Sequence, residues 1–138
     1  MHNKIIFELV HIRANCSPKR LGLYSTIHQI SDAIDYYTMR LGFQDFPDGF
    51  ITIPHQFIPA NKASNVVYLA EAYYHDDEYS LEYVVPLGVF ASTEDAKKSI
   101  AQYKEANKRA LDPEISIELL AERYLLDQRL WPEGFIVD

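Results

Sequence analysis

The sequence predicts an α+β domain in which two ββαβ repeats form a largely antiparallel sheet with two helices on one face. Three observations lead to this prediction. A segment that begins at Leu21-Gly22 recurs at Leu87-Gly88. Both copies follow stretches rich in β-branched and aromatic residues, and both precede helix-capping residues. Because an internal repeat constrains architecture strongly, residues 1–138 are interpreted as one domain with repeats at about 3–58 and 65–138.

The first two strands of each repeat are indicated by composition and turn residues. Residues 4–12 and 65–73 align with Ile5 on Val66 and Phe7 on Tyr68. Polar turn residues follow each stretch, and a second strand then leads to the Leu-Gly pair. The second hairpin is the longer one. Strict alternation predicts that its second strand places five side chains on one face: Leu81, Tyr83, Val85, Leu87 and Val89.

Each predicted helix begins at a capping box. Thr26 and Ser92 are each followed three residues later by a side chain that can reach back, Gln29 and Asp95. The first helix is expected to end at Gly42, and the second before Pro113. The expected buried stripes are Ile27, Ile30, Ile34, Tyr37 and Leu41 in the first helix, and Ala96, Ile100, Tyr103 and Ala110 in the second.

A third strand closes each repeat, over residues 50–57 and 115–124. Pro54 lacks a backbone donor, so the first of these strands is expected at a sheet edge, or with a bend at that residue. Residues 58–64 are interpreted as a linker between the repeats.

Net charge, cysteine content and the length of the apolar runs limit the partners and the cellular location that this chain can have. The formal net charge of −7 argues against nucleic acid or an anionic membrane as the partner. Cys16 is the only cysteine, so neither an internal disulfide nor a thiolate metal cage can form. The apolar run over residues 5–12 is too short to span a bilayer, and no secretory signal pattern is present. These observations predict a cytoplasmic protein.

No residue pattern predicts a catalytic, metal or cofactor site. Nucleophile elbows, Walker loops and dinucleotide-binding glycine motifs are missing from the sequence. The acidic turn over residues 75–78 is expected to be a solvated hairpin turn, since adjacent turn residues rarely converge on one metal ion. Glu71 and Glu82 could form a carboxylate pair, but exposed strand positions are the favoured interpretation. His11 and His55 could approach each other on neighbouring strands, although structural or surface roles are favoured.

Two matching tetrapeptides, Pro47-Asp48-Gly49-Phe50 and Pro132-Glu133-Gly134-Phe135, are interpreted as turns whose phenylalanine plugs the core. The second tetrapeptide follows Trp131. Together with the runs Leu87–Ala96 and Ile115–Glu118, this ending resembles small bacterial domains of unknown function. Those domains read as two strands, a "GVFSSEEEA" helix, a "YxIEExELD" strand and a terminal "WxEGF". The resemblance covers mainly residues 65–135, and residues 3–58 show a weaker similarity to the same domains.

Domains of this kind are often found as small orphan proteins or beside polymorphic toxins, so the resemblance implies an immunity role. We therefore expect a non-enzymatic, cytoplasmic immunity-type protein that binds a cognate, basic protein toxin. The alternatives are a homo-oligomeric small-ligand or structural module, such as a homodimer, and, third, a small enzyme with an unrecognised site. The expected contact residues lie on the longer second hairpin and supply aromatic anchors and steering carboxylates: Tyr73, Tyr74, Asp76, Asp77, Glu78, Tyr79 and Glu82.

Overall fold

The protein has a mixed α+β fold. The computed structural model describes residues 4–13, 18–58, 65–76, 81–107 and 115–134. Those residues form six strands and two helices. In chain order they are β1 (Lys4–His11), β2 (Lys19–Tyr24), α1 (Ile27–Tyr37), β3 (Phe50–Ile58), β4 (Val66–Asp76), β5 (Leu81–Phe90), α2 (Thr93–Asn107) and β6 (Ile115–Leu125).

The strands are hydrogen-bonded in the order β2-β1-β3-β5-β4-β6. β1 pairs antiparallel with β2, and β4 pairs antiparallel with β5. β3 and β5 run parallel, with Phe57 opposite Val89. The chain groups into two compact units, which we call the terminal unit (residues 5–55 and 125–138) and the central unit (residues 1–4 and 56–124). Strand β3 contributes residues to both.

In the terminal unit, α1 packs against β1 and β2. Its N-terminus is capped as predicted, because the Thr26 hydroxyl accepts a hydrogen bond from the Gln29 N–H at 3.1 Å. The residues that form the core beneath the helix come from both strands, the helix and the following turn: Leu9, Leu21, Tyr24, Ile30, Ala33, Tyr37 and Phe43.

The predicted end of the first helix is wrong. The helix ends at Tyr37, and turns follow it. Gly42 has the expected positive φ of 88°, but it lies in this turn segment. Ile27 and Leu41, both expected in the buried stripe, are 57% and 52% exposed. The early turn brings Phe43 back onto the core, where its ring contacts Tyr37 edge-on at 5.2 Å. Phe43 is fully buried while Leu41 is exposed.

In the central unit, α2 packs against β4 and β5 through Ala70, Phe90 and Ala96. The Ser92 hydroxyl accepts a hydrogen bond from the Asp95 N–H at 3.2 Å, which gives this helix the predicted cap. Of the expected stripe, Ala96 is buried, Ile100 and Tyr103 are half-buried, and Ala110 lies outside the described residues.

A register shift interrupts both antiparallel hairpins. It falls after Leu9 in β1 and after Ala70 in β4. Gly22 lies opposite Leu9 with φ of 129°, and Gly88 lies opposite Ala70 with φ of 130°. Both are glycine because side chains rarely tolerate this backbone conformation.

The shift at Gly88 corrects the predicted alternation of β5. Leu87 and Phe90, rather than Leu87 and Val89, pack on the α2 cluster. Tyr83 keeps the predicted face although it is 49% exposed, because it stacks on Tyr74, whose hydroxyl bonds with Tyr103 of α2. A bulge inserts one residue into a strand, so the side-chain alternation changes phase on passing it.

β3 as a whole is not an edge strand, although its pairing with β5 involves Phe57 and Ile58 and Pro54 lies outside it. β3 has hydrogen-bonded neighbours, β1 and β5, on its two sides. The side chain of Pro54 is exposed, whereas His55 and Phe57 are buried. Of the helices in the described ranges, neither is long and apolar enough to cross a membrane.

Candidate functional site

The predicted contact surface lies on the β4–β5 hairpin of the central unit. The two strands pair from Tyr68 opposite Phe90 to Asp76 opposite Leu81. Tyr73 and Tyr74 are on β4 and are half-buried. Glu82 is on β5, with its backbone opposite His75. Asp77, Glu78 and Tyr79 lie outside the described residues, as do the side chains of Asp76 and Glu82.

The side chain of Tyr74 contacts both the neighbouring strand and helix α2. Its ring stacks on Tyr83 at 4.7 Å with an interplanar angle of 3°. Its hydroxyl forms a hydrogen bond with the hydroxyl of Tyr103 on α2. Tyr83 itself is 49% exposed, and the adjacent Val84 is 45% exposed. Consecutive residues of a strand point to opposite faces, so Val84 lies on the other face from Tyr83. The hairpin therefore presents an exposed aromatic ring on β5 that Tyr74 supports from β4.

Tyr83 is absent from the predicted contact residues, yet a signal for it exists in the sequence. Once β4 and β5 are paired from the turn outwards, Tyr83 lies directly opposite Tyr74. Aromatic residues at directly opposite positions stabilise a sheet and form a continuous surface. Pairing the strands residue by residue would have identified Tyr83.

Glu71 is buried, so its predicted exposure is wrong. It is 4% exposed and accepts a hydrogen bond from the Tyr73 hydroxyl at 3.0 Å. It lies opposite Pro86, while Glu82 lies opposite His75. The two glutamates are thus not cross-strand partners. Tyr73, expected as a contact anchor, uses its hydroxyl to satisfy a buried carboxylate.

The terminal unit contains a buried charged cluster that the sequence did not reveal. Glu8 on β1 is 3% exposed. One of its carboxylate oxygens contacts Nε2 of His55 at 2.8 Å. The other accepts a hydrogen bond from Nε of Arg20, which completes a salt bridge. Both carboxylate oxygens therefore have a partner.

The cluster lies on the side of β1 away from α1. Phe7 and Leu9 pack with the α1 core, and alternation places Glu8 on the other face. Burial by itself would raise the pKa of the Glu8 carboxyl. The hydrogen bond from His55 and the charge of Arg20 outweigh that effect and hold its pKa below the ordinary value. Glu8 is therefore a carboxylate at neutral pH and ties β1 to β2 and β3.

His11 has a different environment from His55. It is 2% exposed, and its Nε2 contacts the backbone carbonyl of Phe46 at 3.0 Å. The rings of Phe43 and Phe50 meet it edge-on at 4.9 and 4.8 Å. This arrangement fixes the turn segment on the core.

The two tetrapeptide turns make close backbone contacts. A Cβ on Gly49 would lie 2.5 Å from the Ile12 carbonyl oxygen, and one on Gly134 would lie 2.1 Å from the Leu41 carbonyl oxygen. Gly134 also has φ of 79°. Phe50 packs against the terminal-unit core as predicted, while Phe135 lies outside the described residues.

Within the described ranges, no three His, Cys, Asp or Glu side chains are grouped so as to hold a metal ion. Cys16 lies outside those ranges. No protein-family model matches the chain, and comparisons with curated proteins and with solved structures found no significant match.

Proposed function

We propose that this chain is a non-catalytic binding protein, an immunity-type inhibitor that neutralises a cognate basic toxin in the cytoplasm. The observation that carries the proposal is the exposed ring of Tyr83 on β5, which is 49% exposed and stacks on Tyr74. In the sequence, Asp76, Asp77 and Glu78 precede it on the same hairpin. An exposed aromatic ring and carboxyl residues on one hairpin are the anchoring and steering elements that protein interfaces use.

The buried charged groups favour binding over catalysis. A catalytic acid or base must reach a substrate. Glu8 and His55 are almost fully buried and contact each other, and Glu71 is occupied by Tyr73. The contact between Glu8 and His55 joins β1 to β3, and the carboxylate of Glu71 is hydrogen-bonded within its own strand β4. The enzyme interpretation therefore ranks below the two binding interpretations.

Charge complementarity favours a basic partner. The formal net charge is −7, and toxins that act on nucleic acids tend to be basic. Opposite charges accelerate association and fix orientation. The likeness to bacterial domains that occur beside polymorphic toxins supports the same partner class.

The test measures binding to the toxin encoded beside this gene, in a catalytically inactive form. In the test variant, Asp76, Asp77 and Glu78 are replaced by Ser. It should associate about tenfold more slowly at low salt, and the difference should shrink at high salt. The control variant replaces Asp32, Asp35 and Asp45, exposed in the terminal unit, by Ser. It removes the same charge but should associate faster than the test variant.

A second variant probes the aromatic anchor. Tyr83→Ser should accelerate dissociation, because the exposed ring is the group expected to be buried by the partner. Association that is equally fast for wild type and the triple variant at every salt concentration would remove the hairpin from the interface. If the wild-type protein binds no toxin from its own locus and sediments as a stable dimer, the self-associating alternative is correct.

We also propose that the two ββαβ segments, residues 3–58 and 65–138, are structural repeats. Their support is the shared hairpin register, in which Phe7 lies opposite Tyr24 and Tyr68 lies opposite Phe90. The equivalent hydroxyl caps of the two helices add to it. The placement of both helices on one face of a largely antiparallel sheet stays a prediction.

A further inference from the structure

Two arginines of the terminal unit lie against one tyrosine ring. The guanidinium carbon of Arg40 is 4.0 Å from the centroid of Tyr36, and that of Arg129 is 4.4 Å from it. Arg40 belongs to the turns after α1, whereas Arg129 comes from the segment after β6. The Tyr36 hydroxyl donates a hydrogen bond to the Pro132 carbonyl, which fixes this segment beside the ring.

Neither guanidinium group forms a salt bridge with any residue in the described ranges. Among the described residues, no carboxylate lies within salt-bridge distance of Arg40 or Arg129, and the nearby Glu133 pairs with neither. Nε of Arg40 is buried without a hydrogen-bond acceptor. Because both guanidinium groups contact one ring, they are closer together than the Debye length of about 10 Å at 0.1 M salt. Salt therefore screens their mutual repulsion only in part.

An exposed indole belongs to the same segment as Arg129 and immediately precedes Pro132, whose carbonyl accepts the hydrogen bond from Tyr36. Trp131, two residues after Arg129, is 47% exposed, and the Lys19 ammonium lies 5.4 Å from its ring centroid. Guanidinium groups are planar donors that match the geometry of carboxylate and phosphate oxygens. An exposed indole provides a stacking surface for an apolar or aromatic group.

We propose that Arg40 and Arg129, held on the ring of Tyr36, form a binding site for the carboxylate or phosphate group of a small ligand whose apolar part contacts Trp131. The bound oxyanion neutralises the paired charges and accepts the guanidinium hydrogen bonds. This site belongs to the terminal unit and does not depend on the proposed binding of a toxin by the hairpin.

The experiment uses the full chain and three probes: benzoate, phenyl phosphate and phenol. Trp131 is the only tryptophan, so its fluorescence reports directly on the site, and calorimetry gives an independent affinity. At least one of the two anions should bind saturably, and neutral phenol should not. Binding of benzoate alone would identify a carboxylate ligand, and binding of phenyl phosphate alone would identify a phosphate ligand.

Substitutions then locate the site. Arg40→Gln and Arg129→Gln should each weaken anion binding at least about tenfold, equivalent to about 1.4 kcal/mol. Lys97→Gln, which removes one exposed positive charge from α2 in the central unit, should leave the affinity unchanged. Arg129 is exposed, so its variant should fold even if the Arg40 variant does not. The proposal is overturned if neither anion binds at concentrations up to about 10 mM, or if Arg129→Gln binds as wild type does.

Discussion

Replacing Glu8 by glutamine should destabilise the protein in a pH-dependent way. The substitution keeps the shape of the side chain but removes the charge that faces Arg20 and His55. Breaking a buried ion pair from one side costs about 3–5 kcal/mol when the remaining charge stays buried. The Arg20 side chain is 24% exposed and can still reach water. We therefore expect the lower end, about 3 kcal/mol at pH 7.

The pH dependence follows from the lowered pKa of Glu8. Its carboxyl binds a proton more weakly in the folded than in the unfolded chain. The resulting stabilisation is complete above the unfolded pKa, about 4.3, and is lost as the pH falls through the folded value. The difference in unfolding free energy between wild type and Glu8→Gln should accordingly shrink below about pH 4.3.

Urea unfolding followed by circular dichroism at several pH values measures this difference. With an m-value of about 2 kcal/mol per molar urea, the midpoint should fall by about 1.5 M at pH 7. Glu105→Gln removes an exposed carboxylate from α2 and should change stability by no more than about 0.5 kcal/mol. Equal midpoints for wild type and Glu8→Gln at pH 7 would refute the reasoning, as would a deficit that is the same at low pH.

Two further predictions concern backbone conformation and the segment after β6. Gly22→Ala and Gly88→Ala impose the same backbone strain, because the two glycines have nearly equal φ. A Cβ on Gly22 would also lie 2.5 Å from the Gln128 carbonyl oxygen. A Cβ on Gly88 would meet only side-chain atoms at 3.3 Å or more and a carbonyl oxygen at 3.7 Å. Gly22→Ala should therefore cost at least about 1 kcal/mol more than Gly88→Ala in thermal unfolding, and equal losses would contradict the role of the close contact. Asp127 accepts hydrogen bonds from the N–H and hydroxyl of Ser25 and has φ of 63°, so Asp127→Ala should cost about 2 kcal/mol and speed proteolysis after β6. Ser25→Ala removes only the hydroxyl contact and should have a smaller effect, which limited proteolysis can compare.

Local features of the fold were predictable because they depend on neighbouring residues. The hydroxyls of Thr26 and Ser92 cap their helices as the sequence indicates. Strand composition located both hairpins for the same reason. The end of the first helix was not predictable, since it depends on Phe43 returning to a core that other elements build.

The buried charged cluster depends on strand order, which the sequence does not state. Glu8 meets Arg20 and His55, which are 12 and 47 residues away along the chain. Those contacts arise only because β1 lies between β2 and β3. Glu8 is the one acidic residue in an apolar strand, a pattern that indicates a buried partner without identifying it.

The terminal unit is built from two segments that are far apart in sequence, and this affects the order in which its contacts can form during synthesis on the ribosome. Residues 5–55 emerge first, but the segment that contacts Tyr36 and Tyr37 begins only after residue 125. At about 5–20 residues per second, the interval lasts on the order of several seconds. During it the α1 segment lacks the backbone carbonyl groups of Leu130 and Pro132, which accept hydrogen bonds from Tyr37 and Tyr36 in the folded protein. The central unit, being nearly continuous in sequence, can complete its contacts before the terminal unit does, although residues 5–55 of the terminal unit are translated earlier.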